Sequence, residues 1–253
     1  EHLSDHLSAL ADVMLRVALD FCWSKLNRRH CEQPRFAVIA YGKLGGKELG
    51  YASDLDVIFL FDDPHESAPE TYARLAQRLL TWLSSHTSAG ILFETDTRLR
   101  PNGESGLLVS SVEAFRDYQQ KSAWVWEHQA LTRARFSAGN AAVGEQFETI
   151  RREVMMSLRN IDTLRKEVLE MRHKMRDGHS NKSALFDIKH DAGGLIDLEF
   201  TVQYLVLAYS HTYPELTGNL GNIALLRIAA QVGLLPALDA VAAGNAYRSL
   251  RRL

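Results

Sequence analysis

The sequence predicts an α+β protein: a small sheet with flanking helices in residues 1–125, followed by an all-helical domain in 126–253. Three observations carry that expectation. FAVIAY (36–41) and DLDVIFLF (54–61) are apolar, β-branched runs of strand length, standing close together in the chain. ILFETDTRLRP (91–101) alternates as a third strand would. From about residue 111 onward the apolar spacing is helical almost throughout.

The elements follow in order. Residues 3–27 place Leu7, Leu10, Ala11, Met14, Leu15, Val17 and Ala18 near helical spacing. FAVIAY is bounded by Pro34 and Gly42 and reads as a buried strand. In DLDVIFLF, Leu55, Val57, Phe59 and Phe61 share one face, and Asp54, Asp56, Ile58 and Leu60 share the other. That second face starts charged and ends apolar, so both carboxylates sit at one end of an otherwise buried strand. After the loop DDPHESAPE, Tyr72, Leu75, Ala76, Leu79, Trp82 and Leu83 define an amphipathic helix over 70–86. Pro101-Asn102-Gly103 ends the third strand in a turn. Helices are expected near 112–136, 140–176, 195–211, 221–233 and 236–253, with no internal repeat.

Composition narrows the class. With 253 residues, 46% hydrophobic and 24% charged, the chain is long enough to bury a proper core and ordinary for a globular protein. A formal net charge of -2 argues against a broad nucleic-acid surface. Cys22 and Cys31 form no metal-spaced motif, which suits a reduced, cytoplasmic setting, and no apolar run approaches a membrane span. A start on Glu1 and a stop within RSLRRL suggest a piece of a longer protein.

The chemistry concentrates in YGKLGGKELGYASDLDVIF (41–59). It is not a P-loop, because Gly46-Lys47 is followed by Glu48 rather than a Mg²⁺-binding hydroxyl, and the glycines fit no dinucleotide fingerprint. Asp54 and Asp56 project from one strand face with Cα atoms about 7 Å apart. Two such charges brought to about 4 Å at an effective dielectric near 20 repel by roughly 4 kcal/mol. A shared site therefore needs a proton or a cation, and Mg²⁺ is the natural hard, oxygen-seeking candidate. Asp96, on the polar face of the third strand, would complete a carboxylate set for two-metal displacement at phosphorus; Glu94 shares its face. Glycines without Cβ atoms would let backbone N–H groups approach a triphosphate. Arg98 and Arg100 would either balance the acidic cluster or grip phosphate. Lys43 and Lys47 would add charge to phosphates, or, on the plainer reading, stand in solvent.

GKLGGKELGYASDLDVIF, ETDTRLRPNGESG and GGLIDLEF, in this order and separation, resemble the motifs of the bacterial glutamine synthetase adenylyltransferase family over about residues 35–210. The resemblance implies a nucleotidyltransferase-type (polymerase-beta-like) mixed sheet. Family members carry two such domains, one removing AMP from glutamine synthetase and one attaching it from ATP. The wording here is most like the carboxy-terminal, adenylylating copy. Carried over by resemblance, Asp54, Asp56 and Asp96 would be catalytic and hold Mg²⁺ or Mn²⁺, with Asp96 taking the proton of the attacking tyrosine. Gly45, Gly46, Ser53, Lys47, Arg98 and Arg100 would contact ATP, and pyrophosphate would leave. Glutamine synthetase would be the protein substrate and the PII signal protein a regulator, with no nucleic acid or membrane involved. The competing expectations are phosphorolytic removal of AMP and a non-catalytic nucleotide-binding or PII-docking module.

Other signals read more plainly. Asp197 and Glu199, two apart on a helix, do not share a face, and residue physics alone favours a structural role. The His190-Asp191 pair is expected at the surface. Trp82, Trp124 and Trp126 are expected in core or interdomain packing, and KEVLEMRHKMRD (166–177) as a solvated helix face.

Overall fold

A computed structural model describes residues 2–88, 90–218 and 221–252. In chain order the elements are α1 (His2–Ser24), β1 (Phe36–Ala40), α2 (Gly42–Gly45), β2 (Leu55–Phe61), α3 (Ala68–Ser84), β3 (Thr95–Asp96), β4 (Val109–Ser111), α4 (Val112–Lys121), α5 (Val125–Leu131), β5 (Arg135–Gly139), α6 (Ala141–Met155), α7 (Ile161–Gly178), α8 (Leu195–Tyr209), α9 (Asn222–Gln231) and α10 (Ala237–Leu250). They form two units: Glu1–Ala123 with Arg133–Arg151, and Trp124–Thr132 with Arg152–Leu253. The single boundary expected at residue 125 is thus replaced by a chain that leaves the first unit, returns with β5 and leaves again.

The first unit is α+β with a mixed sheet in the order β3-β2-β1-β5. β1 runs antiparallel to both β2 and β5, while β2 takes two parallel partners along one edge. β3 pairs with the start of β2, and β4 with its end, at Phe59–Phe61. Burial on both faces explains why β1 and β2 are nearly continuous apolar runs. On one face Phe36, Val38, Ala40, Leu55, Val57, Phe59 and Phe61 meet Leu15, Leu19 and Cys22 of α1 and Tyr72, Leu75 and Leu79 of α3. On the other face Ala37, Ile39, Ile58 and Leu60 are equally buried.

Several expectations need correction. The helix read over 112–136 breaks into α4, α5 and β5, and the one over 140–176 breaks at Asn160. The Asn160 side chain caps α7 by accepting from the Thr163 N–H at 2.9 Å. The alternating stretch 91–101 yields only the two strand residues of β3. The three tryptophans expected in packing are not core residues: Trp124 is 71% exposed, and Trp82 and Trp126 are also exposed. Trp82 lies against Phe21 with ring centroids 5.5 Å apart.

The second unit holds α5, α7, α8, α9, α10, a 3-10 turn at Pro214–Thr217 and the last residues of α6. Buried polar contacts tie its helices together. Gln129 of α5 donates to Gln203 of α8 at 2.9 Å. The Tyr247 hydroxyl of α10 accepts from Asn222 of α9 and donates to Glu199 of α8. Asp197, in the first turn of α8, pairs with Arg172 of α7 and accepts from the Gly193 N–H. Asp197 and Glu199 therefore bind helices to one another within this unit. His190 is half-buried rather than at the surface, stacked on His179 at 4.4 Å and bonded to Asp187 at 3.0 Å. Among the described residues no helix is long and apolar enough to cross a membrane.

Candidate active site

The start of β2 and the short β3 create a carboxylate cluster. Their parallel register sets Leu55 beside Thr95 and Asp56 beside Asp96, and the Leu55 N–H donates to the Glu94 carbonyl at 2.9 Å. Asp56 and Asp96 are thereby neighbours across the pair, and Asp54 joins them from two residues upstream. One carboxylate oxygen from each of Asp54, Asp56 and Asp96 lies within 4.8 Å of the others. Glu94, which shares the alternation with Asp96, stands outside this trio but lines the adjoining cavity of about 460 Å³ with Asp54, Thr95, Thr97, Arg98, Arg100 and Glu104.

The cluster is under electrostatic stress. Burial pushes the Asp56 carboxyl up to about 6, Asp54 and Asp96 push in the same direction, and Arg98 and Lys43 oppose them. Asp96 is held below the usual carboxylate range, chiefly by its hydrogen bonds to Arg98. The Arg98 N–H donates to Asp96 Oδ1 at 2.8 Å, and its guanidinium grips both carboxylate oxygens. Of the three acidic groups only Asp96 is bonded to this guanidinium, which is itself 70% exposed. Converging hard oxygen donors with surplus negative charge fit divalent cations of the Mg²⁺ type.

The pH dependence of folding follows. The unfolded chain releases the Asp56 proton near 3.8 and the folded chain near 6, so this group's contribution to stability falls as pH rises through that window. Without a divalent cation the loss at pH 7 is about 3 kcal/mol. Asp56→Asn in chelator is accordingly expected to be more stable than the parent at pH 7 by about 1–3 kcal/mol, with the gap closing toward pH 4. Urea melts across this range check it; parallel curves would refute it.

The loop between β1 and β2 supplies the floor. Gly42 has φ +54°, and a Cβ there would stand 2.0 Å from Asp56 Oδ2. Only glycine leaves room for the observed Asp56 side chain. Gly45 and Gly46, expected to contact ATP, lie at the end of α2. Their N–H groups are donated within the turn, to the carbonyls of Tyr41 at 2.8 Å and Gly42 at 3.0 Å. Both residues are buried, and a Cβ on Gly45 would meet the Arg133 carbonyl at 2.0 Å. A Cβ on Gly46 would meet the Arg133 guanidinium, which pairs with Glu48. These two glycines press the loop onto Arg133, a residue the sequence alone did not single out, because its partners lie far upstream in the chain.

Ser53 closes its own turn, its hydroxyl accepting from the Gly50 N–H at 3.0 Å. Lys47 is exposed with φ 55°. Arg100 is committed locally, donating to the Thr97 carbonyl at 2.8 Å and to the Glu104 carbonyl at 3.1 Å, so it braces the turn after β3. Arg98 is the basic side chain in direct contact with the carboxylate trio.

A family model described as glutamate-ammonia ligase adenylyltransferase matches residues 1–150, and one described as GlnD PII-uridylyltransferase matches residues 162–253. A bifunctional glutamine synthetase adenylyltransferase/adenylyl-removing enzyme of Aromatoleum aromaticum is 68% identical over the whole chain. Proteins of the same description from Nitrosomonas europaea and Chromobacterium violaceum are 60% and 58% identical. The chain spans 27% of the length of the first two of these relatives and 28% of the third. The expectation of the carboxy-terminal copy gains no support from these matches, whose names join both activities. An α+β unit with a mixed sheet, a carboxylate cluster at the mouth of β2 and a family match over more than half its length lead to one conclusion: the chain belongs to the glutamate-ammonia ligase adenylyltransferase family.

Proposed function

We propose that this site transfers AMP from ATP to a tyrosine hydroxyl of glutamine synthetase, releasing pyrophosphate and so regulating nitrogen assimilation. The observation that carries the reading is the convergence of Asp54, Asp56 and Asp96 beside an open polar cavity of about 460 Å³. Asp54 and Asp56 bind and orient, with Asp96 as the third ligand. Bound Mg²⁺ or Mn²⁺ would neutralise the phosphates and stabilise the departing pyrophosphate. Asp96 accepts the tyrosine proton, and its basicity rises if the exposed Arg98 swings from it to a phosphate. In balance, the tyrosine oxygen bonds to the α-phosphorus, the bond to the β-phosphate bridge breaks, and one proton is released.

A second reading rests on the relatives' names, which include an adenylyl-removing activity. On it, inorganic phosphate attacks AMP-tyrosine, giving ADP and free tyrosine at the same carboxylates. Incubating the chain with ATP, Mg²⁺ and glutamine synthetase should add the mass of one AMP per modified tyrosine. Loss of that mass from AMP-modified glutamine synthetase with phosphate, and no gain with ATP, would replace the first reading by the second. Calorimetric ATP binding with neither reaction would leave a non-catalytic module. The match of residues 162–253 to a PII-uridylyltransferase model supports the PII signal protein as regulator.

A further inference from the structure

A second cluster lies past the opposite end of β2, roughly 20 Å along the strand from the carboxylate trio. Donor atoms of His30, Cys31 and Asp63 lie within 4.8 Å of one another. His30 Nε2 and Asp63 Oδ2 are 2.8 Å apart, and both side chains are only 7% exposed. Asp63 is held from two further sides. The Tyr72 hydroxyl donates to Oδ2 at 2.7 Å, and the His65 N–H donates to Oδ1 at 3.0 Å. The His65 ring stacks on His30 at 4.5 Å. Cys31 Sγ lies 3.2 Å from the Gln33 carbonyl and 3.9 Å from the Tyr72 hydroxyl, and its thiol is free.

Hydrogen bonding accounts for Asp63 but not for the whole cluster. His30 Nδ1 is buried without a hydrogen-bond partner, and Nε2, the ring nitrogen beside Asp63, is the one a shared ion would take. A thiol, an imidazole and a fixed carboxylate in one pocket are the donor types of a borderline-soft divalent ion, not of Mg²⁺. Around such an ion, with bonds of about 2.0–2.3 Å, tetrahedral donors stand roughly 3–4 Å apart. The observed cluster reaches that spacing with small side-chain adjustments.

We propose that His30, Cys31 and Asp63 form a zinc-type site, separate from the carboxylate trio, with water in the fourth position. Binding ejects the Cys31 thiol proton to solvent and leaves a thiolate on the ion. The site pins the segment between α1 and β1 to the end of β2, and so fixes the ends of the two inner strands remote from the carboxylate trio.

Cobalt(II) tests it, because a thiolate-to-cobalt charge-transfer band requires sulfur and the carboxylate trio has none. The whole chain, titrated with Co²⁺ in excess Mg²⁺, should develop that band to one equivalent and lose it on adding Zn²⁺. Cys31→Ser should abolish the band and weaken Zn²⁺ binding at least tenfold, whereas Asp56→Asn should retain both. Absence of the band, its persistence in Cys31→Ser, or Zn²⁺ affinity unchanged by that substitution would overturn the assignment.

Discussion

Asp54→Asn is expected to cut AMP incorporation into glutamine synthetase by at least about a thousandfold, roughly 4 kcal/mol of transition-state stabilisation, while the fold survives. Asp54 is exposed and precedes β2, so its carboxylate holds no core contact in place. Its charge pushes the Asp56 carboxyl upward, and removing it relieves the folded state. A substitution that leaves folding unharmed yet abolishes transfer separates a catalytic ligand from a structural one. Asp56→Asn should behave likewise. Initial rates of labelled AMP incorporation, with thermal melts of the same samples, make the measurement. Near-normal transfer by either variant would remove these carboxylates from the chemistry.

Gly42→Ala should lower transfer about a hundredfold and cost about 1–3 kcal/mol of stability. Two effects add. Alanine at φ +54° is strained by its own backbone, and its Cβ would stand 2.0 Å from Asp56 Oδ2, forcing that carboxylate to turn away from Asp96. Gly50→Ala is the control from the same loop. Gly50 has no positive φ, and a Cβ there meets only Ser53 Oγ at 3.5 Å, an ordinary contact. Transfer by Gly42→Ala within a few-fold of the parent would show that the Asp56 rotamer does not matter.

The legible parts of the fold were those whose signal is local. β1 and β2 are buried on both faces, so their residues form unbroken apolar runs, and the period-2 alternation places Asp54 and Asp56 at the same end. β4 and β5 carried no such signal. Val109–Ser111 contains one apolar residue, and Arg135-Phe136-Ser137 pattern as part of the preceding helix. β5 is a strand because the free edge of β1, about a hundred residues earlier, takes it as a partner, and because Arg135 and Ser137 find Asp12 of α1. The same distance hid the purpose of Gly45 and Gly46. A glycine pair beside a D-x-D motif suggests phosphate, yet the close approach that requires them is to Arg133. β3 was overextended because alternation continues through Arg98 and Arg100, whose side chains bond to Asp96 and to the following turn instead of facing a neighbouring strand.

The return of β5 to the sheet also dictates an order of synthesis. As the polypeptide emerges from a ribosome, α1 to α4 can gather first, but the hydrogen-bonding groups along one side of β1 stay bare until residue 139 is free. A translation product halted near residue 125 would therefore carry an unsatisfied backbone ribbon and would stick to others of its kind. Release past residue 139 lets β5 close that ribbon and frees the nascent molecule from the hazard.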